Sequence, residues 1–136
     1  MANMKITEME GVGPTYGEKL ANAGVADTDA LLERCKTPKD RASLAADSDI
    51  SDKLILRFAN MADLYRIKGV GSEYAELLEA AGADTVPSLA QRNAENLHAK
   101  MAEINEAKNL TRKLPTVNDC TNWIGQAKDL PRMLEY

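Results

Sequence analysis

Aromatic residues are scarce, at 4% of the 136-residue chain: one Trp, one Phe and four Tyr. Ala and Leu are abundant instead, a balance that disfavours sheet and favours helix. Only two cysteines occur, Cys35 and Cys120, far apart and outside any CxxC or Cys/His spacing. That leaves no basis for a disulfide framework or a zinc site, and both thiols are expected to be buried as small hydrophobes. His98 is the sole histidine. No Ser, Cys or carboxylate stands in a recognisable catalytic spacing to it, so it is expected on a helix surface. No catalytic residue, metal or cofactor is expected, and the chain does not read as an enzyme. No apolar run approaches the ~20 residues of a spanning helix. Met1 to Glu10 lacks the basic-then-apolar pattern of a signal peptide, and the expectation is a cytoplasmic protein with no membrane partner.

An excess of positive charge is also missing. The formal net charge is -4. Split after residue 63, the two halves carry 8 Lys+Arg against 11 Asp+Glu and 9 against 10, so neither is basic. A protein held to nucleic acid mainly by phosphate neutralisation would show such an excess, or at least a concentrated patch.

The chain does contain an internal repeat. Glu10-Gly11-Val12-Gly13-Pro14-Thr15-Tyr16-Gly17-Glu18-Lys19-Leu20 pairs with Lys68-Gly69-Val70-Gly71-Ser72-Glu73-Tyr74-Ala75-Glu76-Leu77-Leu78 at an offset of 58. It continues from Ala23-Gly24 onto Ala81-Gly82, then slips by one if Thr28 is matched to Thr85. Leu54 to Leu64 closes the first unit. Cys120 to Leu130 closes the second, with about eight extra residues placed around Glu103 to Lys113. Two units follow, 1–63 and 64–136.

Caps and spacing give the coarse structure. Pro14 suits the first turn of a helix and Gly24 its left-handed end, which predicts a helix from Pro14 to Ala23 and a counterpart from Ser72 to Ala81. Thr37-Pro38, Asn93-Ala94 and Ser51 read as further helix starts. Leu54, Phe58 and Met61, with Ile55 and Ala62, follow helical spacing, as do Leu97, Met101 and Ile104. Val117, Cys120, Ile124 and Ala127 form another core stripe after the break at Pro115. The residues from Pro131 to Tyr136 read as a tail that docks through Leu134 and Tyr136.

Gly-hydrophobic-Gly followed four positions later by a small residue, here Gly11-Val12-Gly13 with Gly17 and Gly69-Val70-Gly71 with Ala75, resembles the helix-hairpin-helix motif. The glycines permit a tight turn, the central Val fills the space between helices, and the small residue allows close crossing. The resemblance implies an all-α fold, two tandem helix-hairpin-helix units packed into one compact helical protein. In DNA-binding members of that superfamily, hairpin N-H groups and the following helix start hold a phosphate without reading bases. Carried onto this chain, the contacts would be Val12, Gly13, Thr15 and Lys19 in one unit, and Lys68, Val70, Gly71 and Ser72 in the other. Typical DNA-binding versions have Lys or Arg just after the second Gly. This chain has Pro14-Thr15 and Ser72-Glu73, so Glu73 and Glu76 would stand near a phosphate and repel it.

The string from Asp63 to Gly71, then Tyr74 to Gly82, with Gln91-Arg92-Asn93, Leu114-Pro115, Trp123-Ile124 and Leu130-Pro131, also resembles an uncharacterised bacterial family classed as a domain of unknown function. A more distant similarity is to the C-terminal domain of the RNA polymerase α subunit, which binds both DNA and proteins. The glycine turns are not dinucleotide-binding loops, because no strand precedes them and the full glycine spacing is absent.

Several side chains carry two readings. Tyr16 and Tyr74 stack on a ligand or, the preferred reading, pack across the hairpins. Trp123 is an interface anchor or, preferred, the rim of the core. The clusters Lys108, Arg112, Lys113 and Arg34, Lys36, Lys39, Arg41 meet phosphates or are solvated faces. The leading expectation is a non-enzymatic module binding DNA or RNA through the two hairpins, independent of sequence; the competing one is a protein-interaction or adaptor module in which the hairpins are structural only.

Overall fold

A computed structural model describes residues 3–136. Side-chain caps set most of its helix boundaries. The first unit contains a short 3-10 turn, Ile6–Glu8, then α1 (Gly13–Asn22), α2 (Thr28–Arg34), α3 (Pro38–Ser48) and α4 (Asp52–Leu64). The second contains α5 (Ser72–Ala80), α6 (Val86–Ala90), α7 (Ala94–Lys108) and α8 (Val117–Asp129). The protein is all-helical. Among the described residues no strand forms, and the only extended pairing is an isolated bridge between Lys5 and Asp27.

The described residues divide by internal contacts into Leu64–Pro131 and a second body made of residues 3–63 together with Arg132–Tyr136. The last five residues thus group with the first unit and not with the helices that precede them. In the first unit α1 packs on the 3-10 turn and α3, and α2 packs on α3. In the second, α5 packs on α7, while α6 and α7 both pack on α8. Buried cores result, with Leu20, Leu31, Leu44, Ile55 and Phe58 in one and Leu77, Leu78, Leu89, Leu97 and Met101 in the other. Each such side chain contributes about 1.5–3 kcal/mol by leaving water.

The repeat extends to individual hydrogen bonds. Gly24 and Gly82 both take φ 89°, and each ends its helix in a Schellman motif. Val25 N-H reaches Leu20 O at 2.8 Å and Gly24 N-H reaches Ala21 O at 3.0 Å. The second unit repeats these as Ala83 to Leu78 at 2.9 Å and Gly82 to Glu79 at 3.0 Å. Arg34 Nη1 donates to Ala23 O at 3.2 Å, and Arg92 Nη1 donates to Ala81 O at the same distance. Asp27 caps α2 and Thr85 caps α6, each accepting from the N-H three residues on. The offset of 58 therefore continues without the slip expected at Thr28: Thr85 matches Asp27, because both occupy the N-cap.

Further caps are Thr37, Asn93 and Thr116. Thr116 forms a capping box with Asp119, their side chains satisfying each other's backbone N-H groups. The extra length of the second unit is shared between helix and loop. α7 runs 15 residues where α3 runs 11, and the connection to the next helix lengthens from residues 49–51 to 109–116. Val117, expected in the core stripe, is 37% exposed because it opens α8, one turn ahead of buried Cys120. Both cysteines are free and buried, and His98 is half-buried on α7.

Candidate functional site

The first glycine turn is shaped by two backbone bonds. Met9 N-H donates to Ile6 O at 3.2 Å and Val12 N-H donates to Met9 O at 3.3 Å. Reversing direction within so few residues requires a left-handed residue, supplied by Gly11 at φ 84°. Gly13 follows at φ 69°. Pro14 disfavours the right-handed helical region for the residue before it, and glycine is free to take the left-handed one. Val12 is buried beneath the turn. Gly17 lets α1 approach the 3-10 turn, since a methyl there would sit 3.1 Å from Thr7 Cγ2. Gly13 and Thr15 remain exposed. Lys19 leans to the end of α3, with Nζ 3.1 Å from Asp49 O and 3.6 Å from its carboxylate.

The second turn repeats the ladder, with Ile67 N-H to Leu64 O and Val70 N-H to Ile67 O, both at 3.1 Å. Gly69 takes φ 95°, and Val70 is buried. The two turns then diverge. Gly71 is extended, at φ -93° and ψ -172°, and Ser72 Oγ accepts from Tyr65 OH at 3.3 Å. The Gln126 side-chain amide takes up both backbone groups of Lys68, accepting its N-H at 2.8 Å and donating to its carbonyl at 3.1 Å. Trp123 lies over Gly69, with Nε1 3.1 Å from where a methyl would be. The second turn is thus fastened to α8.

The tyrosines pack on the fourth helix of their own unit. Tyr16 meets Phe58 with ring centroids 5.8 Å apart, and Tyr74 meets Trp123 at 5.4 Å. Tyr74 OH also donates to Lys113 O at 3.0 Å. Trp123 is 3% exposed, and so belongs to the core.

Of the eight residues singled out in the sequence, Gly13, Thr15, Lys68 and Gly71 are exposed. Lys19 and Ser72 are half-buried, and Val12 and Val70 are buried with their N-H groups bonded within the turns. The last two act as plugs. The geometry brings each set of four to one end of α1 or α5, except Lys19, which lies near the far end of α1. The sequence singles out neither Gln126 at the second turn nor Arg57, whose guanidinium lies 3.8 Å from a methyl position on Gly11, and it names Trp123 without its place over Gly69. The offset of 65 that pairs Phe58 with Trp123 was the available signal, but it differs from 58 and emerges only from the ring contacts.

Helix caps separate these two starts from the rest. α2, α3, α6, α7 and α8 each begin behind a side chain that accepts a first-turn N-H. In α4, Leu54 N-H donates to Ser51 Oγ at 3.3 Å. α1 and α5 begin with no side-chain cap bond. Their first-turn N-H groups have no partner within the helix, and the helix dipole is positive there. The first turn of α1 holds no acidic residue, while that of α5 holds Glu73. Near the second turn burial, then the carboxylates of Asp119 and Glu73, pushes the Tyr74 hydroxyl above its usual range. Burial pushes the Cys35 thiol up to about 12 and raises Cys120 as well. Among the described residues no group of three or more His, Cys, Asp or Glu is placed to hold a metal ion, and no helix is long and apolar enough to cross a membrane.

The fold and its turns define a class: an all-helical protein of two similar four-helix units, each entered through a Gly-Val-Gly turn. The chain belongs to the family described as Domain of unknown function (DUF4332), whose model matches residues 10–130. No solved structure matches it.

Proposed function

We propose that this protein is a non-enzymatic module of the tandem helix-hairpin-helix kind that holds nucleic-acid phosphates without reading bases, with the first hairpin as its main contact. The observation that carries this reading is that α1 and α5, the two helices following the glycine turns, start without a side-chain cap while the other six have one. A helix start of this kind offers backbone donors and a positive dipole end to an anion. The first hairpin suits a phosphate better, since Gly13 and Thr15 are exposed and its first turn lacks acid. The second is disfavoured by Glu73 and fastened by Gln126 and Trp123. We take the module to act in the cytoplasm.

The test is fluorescence anisotropy with labelled duplex and single-stranded DNA at low salt. One to two neutralised phosphates predict a log-log salt slope of about -1 to -2, far shallower than a basic-patch binder gives. Thr15→Glu places a negative charge at the start of α1, where it stabilises the helix by about 0.3–1 kcal/mol but repels phosphate. Binding should fall while the fold is retained.

A second reading has its own observation. The two hydrogen bonds from Gln126 to Lys68 and the cover of Trp123 over Gly69 favour a structural task for the second hairpin. If both hairpins serve only as corners, the protein is an interaction or adaptor module. It would then show no DNA affinity at low salt and would copurify with a defined protein partner.

A further inference from the structure

The chain's last residues lie in a groove of the first unit whose contacts read peptide backbone as well as side chains. After α8 the chain turns extended at Leu130, with φ -73° and ψ 133°, and Pro131 discourages any return to helix. Residue 135 is then held at both backbone groups. Its N-H donates to Lys36 O at 2.8 Å, and its carbonyl accepts from Arg41 Nη2 at 2.7 Å. Leu134 is 1% exposed. Tyr136 OH donates to Asn60 Oδ1 at 2.8 Å; its ring, 49% exposed, lies 5.7 Å from the Arg41 guanidinium and 5.6 Å from that of Arg132 in its own segment.

The groove's own groups are fixed in place. Arg41 is only 6% exposed, and its other arm donates to Cys35 O at 2.8 Å. Asn60 is buried on α4. A fixed acceptor, a fixed guanidinium donor, an apolar slot and a hydroxyl acceptor at successive positions are what extended-peptide recognition uses: main-chain bonds give affinity and side-chain pockets give register. The Glu135 side chain is exposed, so the middle position is read through its backbone.

We propose that this groove is a recognition site for a short extended segment of a partner protein carrying Leu and, two residues later, Tyr, and that residues 134–136 occupy it in cis. The proposal is independent of the hairpins. The tether holds the chain's own segment at an effective concentration on the order of millimolar, so a partner segment must compete with it.

The probe is a fluorescent, C-terminally amidated peptide with the sequence of residues 130–136, titrated with the full-length protein and with the full-length double variant Leu134→Asp, Tyr136→Ala. Saturable binding to the variant at least about tenfold tighter than to the unmodified protein, abolished when Leu and Tyr of the peptide are both changed to Ala, is the expected result. No saturable binding to the folded variant, or equal binding to both proteins, overturns the proposal. If the variant fails to fold, amide hydrogen exchange on the unmodified protein decides. The Glu135 amide should exchange at least about a hundredfold faster than that of Leu44, through local opening of the tail. Equal protection would mean that the segment leaves only when its unit unfolds, and the groove would then be a structural seam.

Discussion

Replacing Gly69 by Ala is the sharpest test of how the second turn is built. The native φ of 95° is a region that L side chains rarely adopt, and the new methyl would stand 3.1 Å from Trp123 Nε1. The left-handed backbone costs about 1–2 kcal/mol, and pushing a buried indole aside costs about 1–3 kcal/mol more. A total near 3 kcal/mol corresponds to a fall in Tm of roughly 10 °C for a chain of this size. Two companions separate the terms. Gly13 has φ 69° with nothing within 4 Å of the added methyl, so Gly13→Ala should lose only the backbone part, about 1–2 kcal/mol. Gly71 is extended and equally open, so Gly71→Ala should stay within about 0.5 kcal/mol. Thermal and urea unfolding would be followed by circular dichroism for all three. Trp123 fluorescence gives a local report in the Leu64–Pro131 unit. Equal effects at Gly69 and Gly71 would refute the account of the second turn, because only Gly69 combines a left-handed φ with a covering ring.

Other outcomes follow from the same geometry. Gln126→Ala should destabilise the second unit by about 1–2 kcal/mol through two lost backbone bonds, whereas Gln126→Glu keeps the acceptor for Lys68 N-H and should cost less; urea midpoints distinguish them. Thr116→Ala removes the capping box of α8 and should cost about 1 kcal/mol. Cys35, with its thiol pushed from the ordinary 9.0 to about 12 by burial, should resist iodoacetamide in the native protein at pH 8 and react once unfolded. The same shift has a sign for stability. Above pH 9 the unfolded chain loses this proton while the folded chain keeps it, so its contribution is complete below about pH 9 and is lost as the pH rises towards about 12. Alkaline unfolding of a Cys35→Ser variant should lack that component.

Much of the fold was legible because its signals are local. Thr37, Ser51 and Asn93 announce helix starts through side-chain oxygens, and Gly24 and Gly82 mark Schellman ends that only glycine occupies cheaply. α2 and α6 were missed: at 7 and 5 residues, they are too short for a helical period to show. Their caps Asp27 and Thr85 differ in residue type, which is why matching threonines displaced the alignment by one. The equivalence of Gly13 and Gly71 also failed at the level of backbone. Pro14 constrains the residue before it and Ser72 does not, so the same Gly-Val-Gly string ends in two conformations. The partners of the turns, Arg57, Gln126 and Trp123, come from helices more than 40 residues away in sequence, and no local pattern could place them at the turns. The docked tail was expected from Leu134 and Tyr136, whereas Arg41, which holds residue 135, was read only as part of a charged cluster.

The uncapped start of α1 is the phosphate contact we propose. Its most direct test is the salt-dependent anisotropy titration of the unmodified protein beside Thr15→Glu, with Glu73→Gln as the matching change at the second hairpin. Weak binding at low salt with a slope of about -1 to -2, loss of that binding in Thr15→Glu at unchanged or raised Tm, and a gain in Glu73→Gln are the expected results. Absence of binding by the unmodified protein at low salt, or full binding by a folded Thr15→Glu variant, would contradict the proposal.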